Sequence, residues 1–154
     1  MMKQTLLIAL LAVTSLTAGG ADLTLTDAVK AANLDAVRAI LSTPAGRAAV
    51  NTPEPDGTTP LHWAARADEG MIARDLLAAG AKATAVNRYG VTPLSLAADN
   101  ASADLVDVLL NAGADAKTVI KNGETVLMAA ARTGSPRAVP VRVRRPGTHR
   151  RVRR

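Results

Sequence analysis

The sequence predicts an all-α repeat solenoid, built from stacked helix-turn-helix units that are joined by extended β-turn arms. A phrase that starts Gly57-Thr58-Thr59-Pro60-Leu61 returns from Gly90 and, with changes, from Gly123, so the period is 33 residues. A second phrase, Leu-Leu-x-Ala-Gly-Ala, starts at Leu76 and at Leu109 with the same spacing. Such a period is typical of units that share one continuous core. We therefore expect function on a repeated surface rather than in a single pocket.

The chain opens with the layout of a secretory signal peptide. Lys3 gives a positive start, residues 6–16 form an apolar run and residues 18–21 are small, which is the three-part pattern of such a signal. A spanning helix needs about 20 apolar residues, although an uncleaved anchor or an apolar first helix stays an alternative. We expect a signal peptide over residues 1–21, no membrane span after cleavage, and a periplasmic or secreted protein.

The first helical unit is divergent. Residues 27–41 have the pattern of a helix pair, and Ile40-Leu41 matches Leu76-Leu77, but the Thr-Pro start is missing. The two Leu-containing pairs lie 36 residues apart instead of 33, so the connection over residues 42–55 is longer than standard. Its prolines and Gly46 predict an irregular loop.

The Thr-Pro-Leu phrases predict helix starts, because Thr is a good N-cap and Pro is favoured at the first helical position. Leu61, Ala64 and Ala65 then fall on one face of a short helix. Gly80 and Gly113 follow the second helix of their units as C-terminal caps. The chain beyond each cap is expected to extend as an arm that turns at the glycine of the next phrase.

These phrases resemble the ankyrin repeat. The resemblance is carried by the Thr-Pro-Leu-His motif at 59–62 and by the Gly-Ala pairs at 80–81 and 113–114. The resemblance covers residues 25–134 and implies about three and a half units in a domain over residues 22–135. It also implies that His62 bonds backbone groups of the neighbouring unit, and that the protein binds another protein.

The fourth unit stops in the middle of an element. Pro140 falls where a helix interior should be, at a cost of about 3 kcal/mol, and residues 137–154 hold eight Arg and no acid. Residues 136–154 are one of two things. They are a genuine, disordered Arg/Pro-rich tail that binds anionic envelope polymer or nucleic acid, or they are out-of-frame sequence after a slip near Val139. The repeat pattern breaks off in the middle of a helix, which selection for a functional tail would not favour. The out-of-frame interpretation is therefore the preferred one.

Charge and composition argue against several classes of function. The net charge of +6 comes from the tail, because residues 22–136 hold ten Lys and Arg against thirteen Asp and Glu; nucleic acid is therefore an unlikely target for the repeats. Without any Cys, disulfides and thiolate zinc sites are excluded. His62 is the lone histidine of the body, so we predict no catalytic site, metal, cofactor or small-molecule substrate.

The resemblance implies a recognition surface on the arm tips and on exposed positions of the first helices. In this sequence those positions are Pro55, Asp56, Thr58, Arg66, Arg88, Tyr89, Val91, Asp99, Lys121, Asn122, Glu124 and Arg132. Tyr89 with Arg88 is the best anchor pair, since Tyr and Arg are enriched at hot spots. Trp63 is interpreted as packing, with a ligand platform as the alternative.

The predicted function is an exported, non-catalytic module for protein–protein interaction. The alternative is an envelope protein whose basic C-terminal tail binds anionic polymer or nucleic acid, with the repeats as a scaffold. A third interpretation is an incomplete product that folds poorly. The partner itself is unknown.

Overall fold

The computed structural model describes residues 23–117, 124–126 and 128, and it confirms the predicted all-α repeat solenoid. Within these residues there are seven α-helices and no strand. The helices are α1 (Leu25–Lys30), α2 (Leu34–Leu41), α3 (Pro44–Ala48), α4 (Pro60–Arg66), α5 (Gly70–Ala78), α6 (Pro93–Asp99) and α7 (Ala103–Asn111). The predicted signal peptide over 1–21 and the tail over 136–154 lie outside the described residues. None of the described helices is long and apolar enough to cross a membrane.

Three helix pairs stack side by side, namely α1 with α2, α4 with α5, and α6 with α7, which we call units one, two and three. The first helices form an inner row in which α4 contacts both α1 and α6, and the second helices form an outer row in which α5 contacts both α2 and α7. The two rows enclose one core that runs through all three units. Its fully buried side chains include Leu61, Ile72, Leu76, Leu94 and Leu105.

Alanine lets the inner helices pack closely. Ala64 and Ala65 in α4, and their counterparts Ala97 and Ala98 in α6, are all buried. Because a methyl side chain adds little thickness, neighbouring backbones approach one another, as stacked helix pairs require. The core therefore needs no aromatic filler, in agreement with a sequence that lacks Phe.

The helix starts follow the predicted capping rules. Thr92 Oγ1 accepts a hydrogen bond from the backbone N–H of Ser95 at 3.1 Å, and Pro93 occupies the first turn. The divergent first unit uses another pair, in which Thr24 Oγ1 accepts from the Asp27 N–H at 3.1 Å. The bonds that Thr24 donates hold the pKa of the Asp27 carboxyl below its ordinary value. An N-cap of this kind satisfies backbone donors that the helix leaves open.

The helix ends show one prediction confirmed and one feature that sequence reasoning missed. Gly80 follows α5 with φ +97°, and the Ala81 N–H reaches the Leu76 carbonyl at 2.9 Å, which completes a Schellman motif. The inner helices end in the same way without glycine, since Asp68 has φ +58° and Ala101 has φ +56°. Alanine carries a steric cost in this conformation.

The connection over residues 42–55 was predicted to be an irregular loop, and this prediction is wrong. It contains helix α3 and a 3-10 turn over Ala49–Asn51. Thr43 Oγ1 accepts from the Gly46 N–H at 3.0 Å and Pro44 occupies the first turn, so Thr-Pro capping starts a helix here too. Gly46 is buried so tightly that a Cβ would lie 2.0 Å from the Ile40 carbonyl oxygen.

The arm between units two and three runs from Gly80 to Thr92. The predicted turn before Gly90 is confirmed, because the Gly90 N–H donates to the Asn87 carbonyl at 3.0 Å. A further turn, closed by Ala85 N–H to the Lys82 carbonyl at 3.2 Å, interrupts the extended backbone. Asn51 holds the start of this arm, since its side chain bonds the Gly80 carbonyl and the Lys82 N–H at 2.9 and 2.8 Å.

Candidate functional site: the groove between the arms and the inner helices

A groove of ≈ 690 Å³ lies between the inner helices and the tips of two arms. We call residues 54–58 the first arm tip and residues 87–91 the second arm tip. Helices α4 and α6 form the floor and the far wall. Six of the predicted partner-binding residues line this groove: Asp56, Thr58, Arg66, Tyr89, Val91 and Asp99.

Hydrogen bonds fold the first arm tip onto itself. The Glu54 N–H donates to the Thr58 carbonyl, and the Gly57 N–H donates to the Glu54 carbonyl, both at 2.8 Å. Asp56 accepts the Thr58 N–H at 2.9 Å and the Thr58 hydroxyl at 2.8 Å. These bonds from Thr58 hold the pKa of the Asp56 carboxyl below its ordinary value, so Asp56 is an anion at neutral pH.

Asn87 organises the second arm tip. Its Oδ1 accepts the backbone N–H groups of Tyr89 and Val91, both at 3.0 Å. Its own N–H donates to the Val91 carbonyl at 3.0 Å. A side-chain amide that bonds the backbone two residues further on is a recurrent way to fix a tight turn. The backbone under Tyr89 is therefore set by Asn87.

The two arm tips are bonded to each other. The Arg88 N–H donates to the Asp56 carbonyl at 2.8 Å, and Arg88 Nη2 donates to the Pro55 carbonyl at 2.6 Å. Asn87 Nδ2 also donates to Thr58 Oγ1 at 3.3 Å. One guanidinium nitrogen of Arg88 thus helps to position the tips, while the residue stays exposed; its role as a partner anchor stays a prediction.

Tyr89 stands out at the rim of the groove. Its side chain is 72% exposed, although the backbone beneath it is fixed on both sides by Asn87. Large aromatic side chains usually bury most of their surface, and an exposed Tyr on a rigid turn is a feature of recognition surfaces. This residue offers the groove an aromatic face and a phenolic hydroxyl.

His62 forms part of the floor and is structural. It is 1% exposed. The Thr59 N–H donates to Nδ1 at 3.2 Å, and Nε2 lies 3.0 Å from the Val91 carbonyl oxygen. The predicted bond from His62 to the neighbouring unit is confirmed. Burial holds the pKa of the imidazole below its ordinary value.

Trp63 both packs and lines the groove. The ring is half-buried, and Nε1 donates to Glu54 Oε2 at 2.7 Å. Lys30 Nζ lies 4.5 Å from the ring centroid and also bonds Glu54. The Arg66 guanidinium lies 5.8 Å from the same centroid. Such cation–π contacts hold the ring in one place.

The far wall of the groove is formed by the ends of the inner helices. Arg66 is the last residue of α4 and Asp99 is the last residue of α6, and both are exposed. Asn100 Nδ2 donates to the carbonyls of Ala65 and Arg66, both at 3.0 Å. These two bonds hold the ends of α4 and α6 side by side.

Other predicted residues need correction or lie elsewhere. Thr58 was expected to be exposed but is 8% exposed, because its hydroxyl bonds Asp56 and Asn87 inside the joined tips. Glu124 is half-buried. Lys121, Asn122 and Arg132 lie outside the described residues.

Sequence reasoning missed several groove residues, among them Asn87, Leu96 and Asn100. Leu96 was findable, because it occupies the repeat position of Trp63. The roles of the two asparagines depend on contacts between units that no spacing reveals. Within the described part of the chain, no group of three or more His, Asp or Glu residues could hold a metal ion.

Helix pairs that stack through an alanine-rich core, with bonded arm tips beside an open groove, define a helical repeat protein. The chain belongs to the ankyrin repeat family: the family model for ankyrin repeats (3 copies) matches residues 25–120 and 67–141. Comparison with curated proteins found no significant match. Ankyrin repeats are generally protein–protein interaction modules and are typically non-catalytic scaffolds.

Proposed function

We propose that this chain is an exported binding module that holds a segment of a partner protein in the groove, with Tyr89 as the anchor. The family supports protein binding in general, and the geometry of the groove supports this location. The observation that carries the proposal is the exposed ring of Tyr89 on a backbone that Asn87 already fixes. A rigid anchor loses little conformational freedom on binding, which favours affinity.

The layout of residues 1–21 supports export into an envelope or extracellular space. On this proposal, residues 1–21 are removed, residues 22–135 form the binding domain and residues 136–154 take no part in recognition. The mature chain then begins between Gly19 and Asp22. N-terminal sequencing of the protein from an envelope fraction tests this, and an intact Met1 in that fraction would contradict cleavage.

Site-specific crosslinking tests where the partner binds. A photoreactive residue is placed at Tyr89 in the groove and, as a matched control, at Met71, which is 56% exposed on the outer helix α5. We expect a crosslinked partner at position 89 and none at position 71. Equal crosslinking at both positions would contradict the groove.

Affinity measurements then distinguish partner binding by the groove from partner binding by the tail. Once the crosslinked partner has been identified, we expect Tyr89→Ala to weaken its binding by about 2 kcal/mol, or roughly 30-fold. A variant in which the arginines of residues 137–154 are replaced by glutamate should bind like the unmodified chain. The opposite pattern would assign recognition to the tail, as the alternative function requires.

A further inference from the structure

Three charged side chains line the groove, Asp56, Arg66 and Asp99, and two of them are already engaged. Thr58 bonds both carboxylate oxygens of Asp56, through its N–H at 2.9 Å and its hydroxyl at 2.8 Å. The guanidinium of Arg66 lies 5.8 Å from the centroid of the Trp63 ring. In the described part of the chain, exposed Asp99 takes part in no ion pair and no side-chain hydrogen bond. Its carboxylate is therefore open to a ligand.

The residue after Asp99 adds an acceptor to the same wall. Asn100 Nδ2 donates to the carbonyls of Ala65 and Arg66, both at 3.0 Å. A carbonyl oxygen can only accept, so the amide nitrogen faces these two groups and both of its N–H bonds are used. Asn100 Oδ1 accepts no hydrogen bond from the residues that the structure describes, and the residue is exposed. The end of α6 thus presents a carboxylate and an amide oxygen, and both of these groups accept hydrogen bonds.

The backbone of the wall favours a ligand of positive charge as well. Arg66 and Asp99 are the last residues of α4 and α6, so the wall consists of helix C-termini, where partial negative charge collects. An acidic ligand could pair with Arg66 only beside the Asp99 carboxylate and these two helix ends. The charge of Arg66 is also partly met by the face of the Trp63 ring. Charge complementarity therefore selects a basic side chain.

Arginine fits these acceptors better than lysine. Its guanidinium carries five N–H donors and no acceptor, it stays charged at every physiological pH, and its flat face stacks on aromatic rings. Tyr89 lines the same groove, and its ring is 72% exposed. The groove thus supplies an open carboxylate, an open amide oxygen and an aromatic face, which are the three kinds of group that a guanidinium uses.

We propose that the partner segment in the groove carries an arginine whose guanidinium pairs with the Asp99 carboxylate, with Asn100 Oδ1 as a further acceptor. This inference rests on the proposed function, because it names the chemistry of the side chain that the groove binds. An exposed ion pair contributes modestly to affinity and more to the choice of partner. The pair therefore serves mainly to select segments with a basic side chain at this position.

Peptide pools provide the test. Each pool contains ten-residue peptides with Arg, citrulline or Glu at one central position and randomised uncharged residues elsewhere, and each pool carries its own isotopic label. Citrulline is the matched probe, because it keeps the shape of arginine without the charge. The pools compete for the immobilised full chain at low ionic strength, and mass spectrometry measures the retained fractions. We expect the arginine pool to be enriched about threefold or more over the other two.

Variants then assign the contact. Asp99→Asn should abolish the enrichment of the arginine pool. The matched control Asp35→Asn removes an exposed carboxylate from the outer helix α2 and should keep the enrichment. Circular dichroism checks that both variants fold. Equal retention of the three pools by the unmodified chain, or an unchanged enrichment in Asp99→Asn, would overturn the inference. Preferential retention of the Glu pool that is lost in Arg66→Ala would also overturn it and would assign an acidic partner segment.

These outcomes are distinguishable from failure of the proposed function. If the arginine pool is not enriched while the crosslink at position 89 and the loss of affinity in Tyr89→Ala persist, the groove binds a segment of different chemistry. If the crosslink and Tyr89→Ala also fail, the groove is not the recognition surface, and both proposals are overturned.

Discussion

His62 lies in unit two and Val91 lies in the arm that leads to unit three, and one hydrogen bond joins them, from the imidazole Nε2 to the carbonyl oxygen at 3.0 Å. The Thr59 N–H can only donate, so the nitrogen that it faces, Nδ1, is the acceptor and Nε2 carries the proton. The ring is therefore neutral in this arrangement. The His62 side chain thus takes part in the N-terminal cap of α4 and also bonds this helix to the next arm.

Acidification should weaken the fold through His62. Its pKa is lowered in the folded state by burial, so the unfolded chain binds the proton more readily and stability rises with pH. We expect this contribution to be fully present above about pH 6.5 and to be lost as the pH falls towards the lower folded pKa. Urea unfolding at several pH values between 7.5 and 5 measures it.

The control for this prediction is His62→Ser, because Ser95 already fills the same position in unit three. The variant should lose about 0.5–1.5 kcal/mol, since the Val91 carbonyl loses the hydrogen bond from the imidazole but keeps the one from the Asn87 N–H. It should also lose the pH dependence in this window. Parallel pH curves for the two proteins would contradict the assigned role.

Gly46→Ala should destabilise the protein by about 1–3 kcal/mol or more. The added Cβ would lie 2.0 Å from the Ile40 carbonyl oxygen, and backbone cannot yield as a flexible side chain does. The matched control is Gly70→Ala at the start of α5, where nothing lies within 4 Å. Thermal and urea unfolding should show the control unchanged or slightly more stable. Equal effects at both positions would contradict the packing.

Ala101→Gly should stabilise the protein by about 0.5–1 kcal/mol. Ala101 has φ +56°, a conformation that glycine adopts without the steric cost of a Cβ. The reverse change, Gly113→Ala at φ +90° in open space, should destabilise it, because only backbone strain is added there. Chemical denaturation compares the two, and a loss of stability in Ala101→Gly would sink the prediction.

Leu94→Ala and Tyr89→Ala should differ in their effect on stability, because the first removes a core side chain and the second a surface side chain. Leu94 is fully buried, so its truncation should cost about 2–5 kcal/mol of unfolding free energy. Tyr89 is mostly exposed and its truncation should change stability by less than about 0.5 kcal/mol. Differential scanning calorimetry is suitable, and a similar fall in Tm for both variants would contradict the described burial.

Periodicity was sufficient to predict the stack. The repeated Thr-Pro-Leu phrase set the starts of α4 and α6, and Gly80 set the end of α5, because capping and the left-handed preference of glycine are local effects. Helix α3 was missed although Thr43-Pro44 is also a capping pair. Gly46 looked like a loop residue in the sequence, whereas the structure uses it for a close approach to the backbone of Ile40.

The groove was only partly predictable. Position within the repeat indicated Tyr89, Arg66 and Asp99, since equivalent positions face the same way in every unit. The bonds that engage Thr58 and Arg88 join two different arm tips, and such contacts depend on how far apart neighbouring units lie. No pattern in the sequence contains that distance, so the bonds between the arm tips were not predicted.

The main-chain bond between Arg88 and Asp56 has a consequence for redesign. The N–H and carbonyl that form it belong to the backbone, so the register of the two arm tips does not depend on which side chain stands at position 89. Positions 66, 89 and 99 can therefore be randomised together while the stack stays intact. The same scaffold could be reprogrammed for new ligands by selection from a three-position library.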